Sequence, residues 1–219
     1  MGDDIVEIDE AAIAWSEPQE TLRERPLVLL LHGRGSHELD LLSLVPHLVP
    51  GAVYASLRAP HPFPGGNGYT WFPPAEPGLP DPAAVLAATR GILAWLDRVS
   101  PVGRVASVGF SQGGALTTHL MRTEPERFAA FVNLSGFAVR GEAPADDRLA
   151  ELRPRMFWGR DAADPVITAG AIDFTEQWLP GHSTLRAELY PGVGHGISAD
   201  EIVDVREFLA ATLFPAGGA

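Results

Sequence analysis

Ser111 stands in the stretch VGFSQGGA, residues 108–115, with one glycine two positions before it and another two positions after. Glycine inside regular structure destabilises it, so the pair needs a reason. RVASVGF (104–110) reads as a strand, and Gln112 to Arg122 reads as a helix. Gly109-Phe110-Ser111-Gln112-Gly113 is then a G-x-S-x-G stretch at a strand-to-helix turn, where a sharp bend presents a serine hydroxyl above a sheet. Side chains at the glycine positions would collide with the neighbouring strand and helix. The helix start beneath the serine favours developing negative charge. The chemistry such a hydroxyl offers is nucleophilic attack, which at neutral pH requires a base.

Histidine suits both the removal of the proton and its return. Of the seven histidines, His195 in YPGVGHGIS follows the last strand, lies on a glycine-rich loop and precedes the final helix. WGRDAADPVI supplies Asp161 and Asp164 after the penultimate strand. The order serine, acid, histidine is the order in which the partners of such an elbow follow it. Asp164 is the preferred acid, because its Asp-Pro-Val-Ile context places the carboxylate at the end of the turn; Asp161 suits the turn-making role. The acid would fix the imidazole tautomer and stabilise the imidazolium without taking a proton. An oxyanion needs donors. The N–H of Gln112, directly after the serine, is one candidate. The N–H of Arg34 in LLHGRGS, between two glycines, is the other. His32 in the same stretch reads as a structural residue.

These residues need a scaffold. PLVLLLHG (26–33) is a continuous apolar run, as in a strand buried on both faces. Asp40 is read as the cap of a short helix, LLSLVPHLV, and AVYASL (52–57) as the next strand. Residues 59–80 are rich in Pro and Gly and read as loop. Apolar residues recur at helical spacing from Asp81 to Ser100. FAAFVNLSG (128–136), RMFWG (155–159) and TLRAELY (184–190) read as strands, residues 168–179 as a helix, and Ile202, Val205, Leu209 and Leu213 as the face of a last helix. Val6, Ile8, Ile13 and Trp15 alternate with polar residues, which suggests an edge hairpin. Strand–helix alternation implies an α/β fold, a mostly parallel sheet with helices on both faces, here over one domain, 1–219. Only a short connection separates NLSG from RPRMF, so no large cap domain and a rather open site are expected. Trp71 and Phe72 in GYTWF are candidates for one wall of an acyl groove, with packing of the loop onto the body as the competing role. Phe137, Val166 and Ile167 are further candidates for lining the site.

Composition removes other classes. The chain of 219 residues carries a formal charge of −12, and all 16 of its basic residues are arginine. Without a basic cluster it is not expected to bind nucleic acid. It has no cysteine, hence no disulfide, thiolate metal site or cysteine nucleophile. The acidic start MGDDIVEIDE does not read as a secretory signal, and nothing later approaches the roughly 18 apolar residues of a membrane span. A cytoplasmic protein is compatible with these features.

With LHGRGSHELDLL, GYTWF, GFSQGGA, DPVI and GHGIS in order, the chain from about Leu27 to its end resembles the phospholipase/carboxylesterase family of α/β-hydrolases. That family includes bacterial carboxylesterases and acyl-protein thioesterases. The resemblance implies serine hydrolase chemistry on small or medium acyl esters or thioesters, with no metal and no cofactor, and it allows a homodimer. Ser111, Asp164 and His195 fall on the matching triad positions, and Arg34 and Gln112 on the oxyanion positions. The spacing GRDAAD before PVI departs from the pattern and leaves Asp161 open as the acid. A dehalogenase or epoxide hydrolase would need aspartate at 111, and a dienelactone hydrolase a cysteine. The expected function is an esterase working through an acyl-serine. A thioesterase with the same triad is the near alternative, and a hydrolase-fold ligand receptor with little turnover the distant one.

Overall fold

Leu27–Leu31 and Val53–Leu57 are buried at every position, so both faces of the sheet they belong to must be covered. The computed structural model describes residues 5–73 and 79–215. In chain order its elements are β1 (Ala14–Trp15), β2 (Leu27–Leu31), β3 (Val53–Leu57), β4 (His61–Pro62), β5 (Tyr69–Thr70), α1 (Pro82–Val99), β6 (Val105–Phe110), α2 (Gln112–Thr123), β7 (Ala130–Leu134), α3 (Asp146–Leu152), β8 (Arg155–Arg160), α4 (Ala169–His182), β9 (Thr184–Leu189) and α5 (Ala199–Leu213). Seven strands form one sheet in the order β1-β3-β2-β6-β7-β8-β9. β1 runs antiparallel to β3, and every other neighbouring pair is parallel.

The alternation of side chains along a strand divides the core into two layers. Leu27, Leu29 and Leu31 pack with Val85, Ile92 and Leu96 of α1 and with Leu116 and Leu120 of α2. Val28 and Leu30 pack on the opposite side with Ile202, Val205 and Leu209 of α5. This is the α/β arrangement expected, with helices on both faces. Among the described residues no helix is long and apolar enough to cross a membrane.

Local sequence explains the element ends. The Asp81 carboxylate accepts the Ala83 N–H, and Pro82 occupies the first turn of α1, where a missing N–H costs nothing. Ser198 and Glu201 form a capping box at the start of α5. The strands end in register, Leu31 beside Gly109, Phe110 beside Leu134, and Leu134 beside Gly159. The loops that leave these ends therefore emerge along one edge of the sheet, where ligands of open α/β sheets bind.

Five differences from the sequence expectations stand out. Among the described residues no hairpin forms near the start; Asp9 accepts the Ala11 N–H and sets a 3-10 turn at Glu10–Ala12, and of this stretch β1 joins the sheet. Leu41–His47 is a 3-10 helix rather than an α-helix, with Pro46 removing a donor. Asp40 does not cap it by its side chain, which instead accepts the Ser36 hydroxyl proton. The 59–80 loop contains the β4–β5 hairpin, while its residues 74–78 lie outside the described residues. Between β7 and β8 the chain carries the short α3, which the sequence reading passed over, and no large cap.

Glu201 combines its capping role with burial. Among the described residues its Oε1 has no hydrogen-bond partner. Loss of solvation pushes its carboxyl up from 4.5 to about 7. The folded state thus holds a proton that the unfolded state releases near 4.5, and stability is lost as pH rises from about 4.5 through about 7. Glu201→Gln removes that titration. Thermal melts from pH 5 to 8 are expected to show a smaller decline of Tm with pH in the variant than in the parent, and parallel declines would contradict it.

Candidate active site

Backbone crowds the two positions that lie two residues before and after Ser111, so that only glycine fits there. A Cβ added at Gly109 would lie 2.1 Å from the Gly113 carbonyl oxygen, and one at Gly113 would lie 1.9 Å from the Leu31 carbonyl oxygen. The bend places Ser111 at φ 55°, ψ −113°, a conformation that L-residues rarely adopt. Backbone bonds hold it there: the Ser111 N–H donates to the Leu134 carbonyl at 2.8 Å, and its own carbonyl accepts the Ala115 N–H at 3.0 Å.

The loop after β9 brings His195 over this bend. Its Nε2 lies 2.9 Å from Ser111 Oγ, and its Nδ1 lies 2.7 Å from Asp164 Oδ2. A carboxylate only accepts, so Nδ1 carries the proton and Nε2 is left to accept from the serine hydroxyl. The other oxygen of Asp164 takes the N–H groups of Val166 (2.7 Å) and Ile167 (3.1 Å), which orients the carboxylate. The Phe110 ring packs against the imidazole at 5.0 Å between centroids. The Nδ1 bond of the ring goes to Asp164 and not to Asp161. Asp161 is 4% exposed, and the N–H groups of Ala163 and Gly194 hold its carboxyl below the usual range.

The loop after β2 adjoins the same point. A Cβ at Gly33 would sit 3.5 Å from Ser111 Cβ. Gly35, at φ +78°, turns the chain after Arg34, and its N–H is tied to the Tyr69 carbonyl at 2.8 Å. The Arg34 guanidinium lies 6.0 Å from the centre of the Phe63 ring. Gln112 opens α2, so its N–H is one of the helix's N-terminal donors without a carbonyl in the preceding turn. His32 is a neutral structural group: Nδ1 donates to the Gly33 carbonyl at 2.8 Å, Nε2 accepts the Ala59 N–H at 3.0 Å, and burial lowers its pKa.

A hydroxyl, an imidazole and a carboxylate in hydrogen-bonded sequence at the edge of an α/β sheet invite comparison with known proteins. The model of the Phospholipase/Carboxylesterase family matches residues 80–213. The chain belongs to the phospholipase/carboxylesterase family. Among curated relatives of this family member, acyl-protein thioesterase 1 of Debaryomyces hansenii is 29% identical over 115 residues, covering 50% of the chain and 48% of the relative. The chain thus spans about half the length of that relative. A protein of Oryza sativa subsp. japonica designated "probable carboxylesterase" is 26% identical over 209 residues, covering 85% of the chain and 77% of the relative. Among solved structures, a carboxylesterase from Mesorhizobium loti is similar with a TM-score of 0.74 and 25% identity, over 86% of this chain and 90% of that one.

The aromatic candidates of this family member lie deeper than expected. Trp71 is 0% exposed; its Nε1–H donates to the His32 carbonyl at 2.8 Å and its ring lies against His32. It packs the loop onto the body, the competing role given for it above. Phe72 and Phe137 are also buried, as parts of the core. Ile167 is partly buried against that core, and Val166, 50% exposed, reaches solvent beside Asp164. Sequence reasoning missed the side chain of Gln112. Its Oε1 accepts the Trp71 N–H (2.9 Å) and the Thr70 hydroxyl (3.0 Å), and its Nε2 donates to the Phe72 carbonyl (3.1 Å). The signal was a long amide placed between a serine and a glycine at a buried turn.

Gly113→Ala forces a methyl group into a backbone carbonyl that has no room to move. It is expected to destabilise the fold by about 3 kcal/mol or more, read as a lower urea midpoint or loss of soluble protein.

Proposed function

We propose that the protein is a serine hydrolase that cleaves carboxylic esters of small to medium acyl chains through an acyl-serine, with residues 1–219 acting as one domain on a small-molecule substrate. Ser111 Oγ attacks the carbonyl carbon while His195 Nε2 takes its proton. The carbonyl π-pair moves to oxygen, and the N–H groups of Arg34 and Gln112 stabilise that charge; one such donor is worth roughly 2.7 to 4 kcal/mol where it has been removed from other enzymes. His195 then returns the proton to the departing alkoxide as the tetrahedral intermediate collapses. Water repeats the cycle from the acyl-serine and releases the acid. Asp164 keeps the Nδ1 proton in place and stabilises the imidazolium.

The observation that carries this reading is the unbroken contact series from Ser111 Oγ through His195 to Asp164, at 2.9 and 2.7 Å, on a strained turn. The thioesterase reading shares every residue. It is favoured by the name acyl-protein thioesterase 1 on relatives of about the same identity.

A p-nitrophenyl ester series from short to long acyl chains, run beside thioester analogues, tests both. Ser111→Ala is expected to lower turnover by at least about 1000-fold. Equal turnover by the variant, or none by the wild-type protein on any ester or thioester, would overturn the assignment.

A further inference from the structure

We propose that Asp161 is a positioning residue for this reaction, acting through backbone to set the distance between His195 and Asp164. The proposal rests on the reading of Ser111, His195 and Asp164 as the reacting set. His195 sits on a loop with Gly192 at φ +86° and Gly194 at φ +64°. Glycine-rich backbone has more freedom to lose than any other, so such a loop does not hold an imidazole by itself. The two oxygens of Asp161 supply the missing constraint. Oδ2 accepts the N–H of Gly194 at 2.7 Å, and Oδ1 accepts the N–H of Ala163 at 2.9 Å. Gly194 immediately precedes His195, and Ala163 immediately precedes Asp164. One buried carboxylate therefore joins the two loops at the residues adjoining each reacting side chain.

A second anchor holds the residue that follows His195. The Ser135 hydroxyl donates to the Gly196 carbonyl at 3.2 Å, and Ser135 is itself held at φ 48° with its N–H on the Gly159 carbonyl at 2.8 Å. The residues before and after His195 are thus each held by a buried side chain from the end of a neighbouring strand. Among the described residues Asp161 has no ion-pair partner: the adjacent Arg160 guanidinium turns to the Glu176 carboxylate and to the Asp161 backbone carbonyl. The Asp161 carboxylate is free to serve the two N–H groups, and because it only accepts, no amide side chain reproduces both bonds.

The test combines ester kinetics with proton NMR of the low-field His195 Nδ1–H, a signal that reports the bond to Asp164. Asp161→Ala is expected to lower kcat by about 100-fold, with KM within about threefold of the parent, since misplacement of a reacting group by an ångström has a cost of that order. The low-field signal should broaden or vanish in this variant and persist in Ser111→Ala. Asp161→Asn, which keeps one acceptor, should fall between, and serves as the readout if the alanine variant does not fold. Either variant keeping kcat within about threefold of the parent overturns the proposal, as does a fallen kcat with an unchanged signal. Ser111→Ala retaining turnover would instead sink the underlying triad reading, whatever the Asp161 variants do.

Discussion

The strained turn at Ser111 is the constraint on which the rest of the site depends. A φ of 55° on a serine costs about 1–3 kcal/mol, and it persists only where the surroundings overdetermine it. Here they do. β6 is a central strand paired on both sides, and α2 is buried from Gln112 to Arg122. The carbonyls of Leu31 and Gly113 fill the space that side chains at Gly113 and Gly109 would occupy. The turn thus has no route to relax without unpacking the middle of the sheet. A hydroxyl held this way is fixed in place, which is the physical advantage the strain would give under the proposed reaction.

Several buried polar side chains around this turn are spent on backbone. Gln112 ties down residues 70–72, His32 bridges Gly33 and Ala59, Asp161 holds Ala163 and Gly194, and Ser135 holds Gly196. Each satisfies donors or acceptors that a loop at the edge of a parallel sheet would otherwise bury unpaired. The same bonds join neighbouring loops: the start of α2 to the segment after β5, the end of β2 to the segment after β3, and the ends of β7 and β8 to the loop after β9.

Arg122 is a central fastening of the segment between β7 and β8. Arg122 of α2 is buried and donates to the carbonyls of Val139 and Gly141 and to the Asp146 carboxylate, with the Trp178 ring 4.7 Å from its guanidinium carbon. A planar group with five donors can staple a loop, a helix start and an aromatic face at once. This keeps α3 against the body rather than over Ser111.

The sequence by itself determined what local rules govern. Apolar runs of strand length, Asp81-Pro82 before a helix, and glycines two residues either side of Ser111 each have meaning within a few positions along the chain, because dihedral limits and side-chain periodicity act at that range. The order of serine, acid and histidine was legible for the same reason, as each lies just past a readable strand. The tertiary structure decided which of two aspartates meets the imidazole. Asp161 and Asp164 are three residues apart, and their roles differ only through what Gly194 and His195 present to them from another strand end. It also decided the fate of Trp71, an aromatic in a Pro- and Gly-rich loop that either side of the surface could have claimed. Only the position of the His32 carbonyl and the Gln112 amide, set by β2 and α2, draws it into the core.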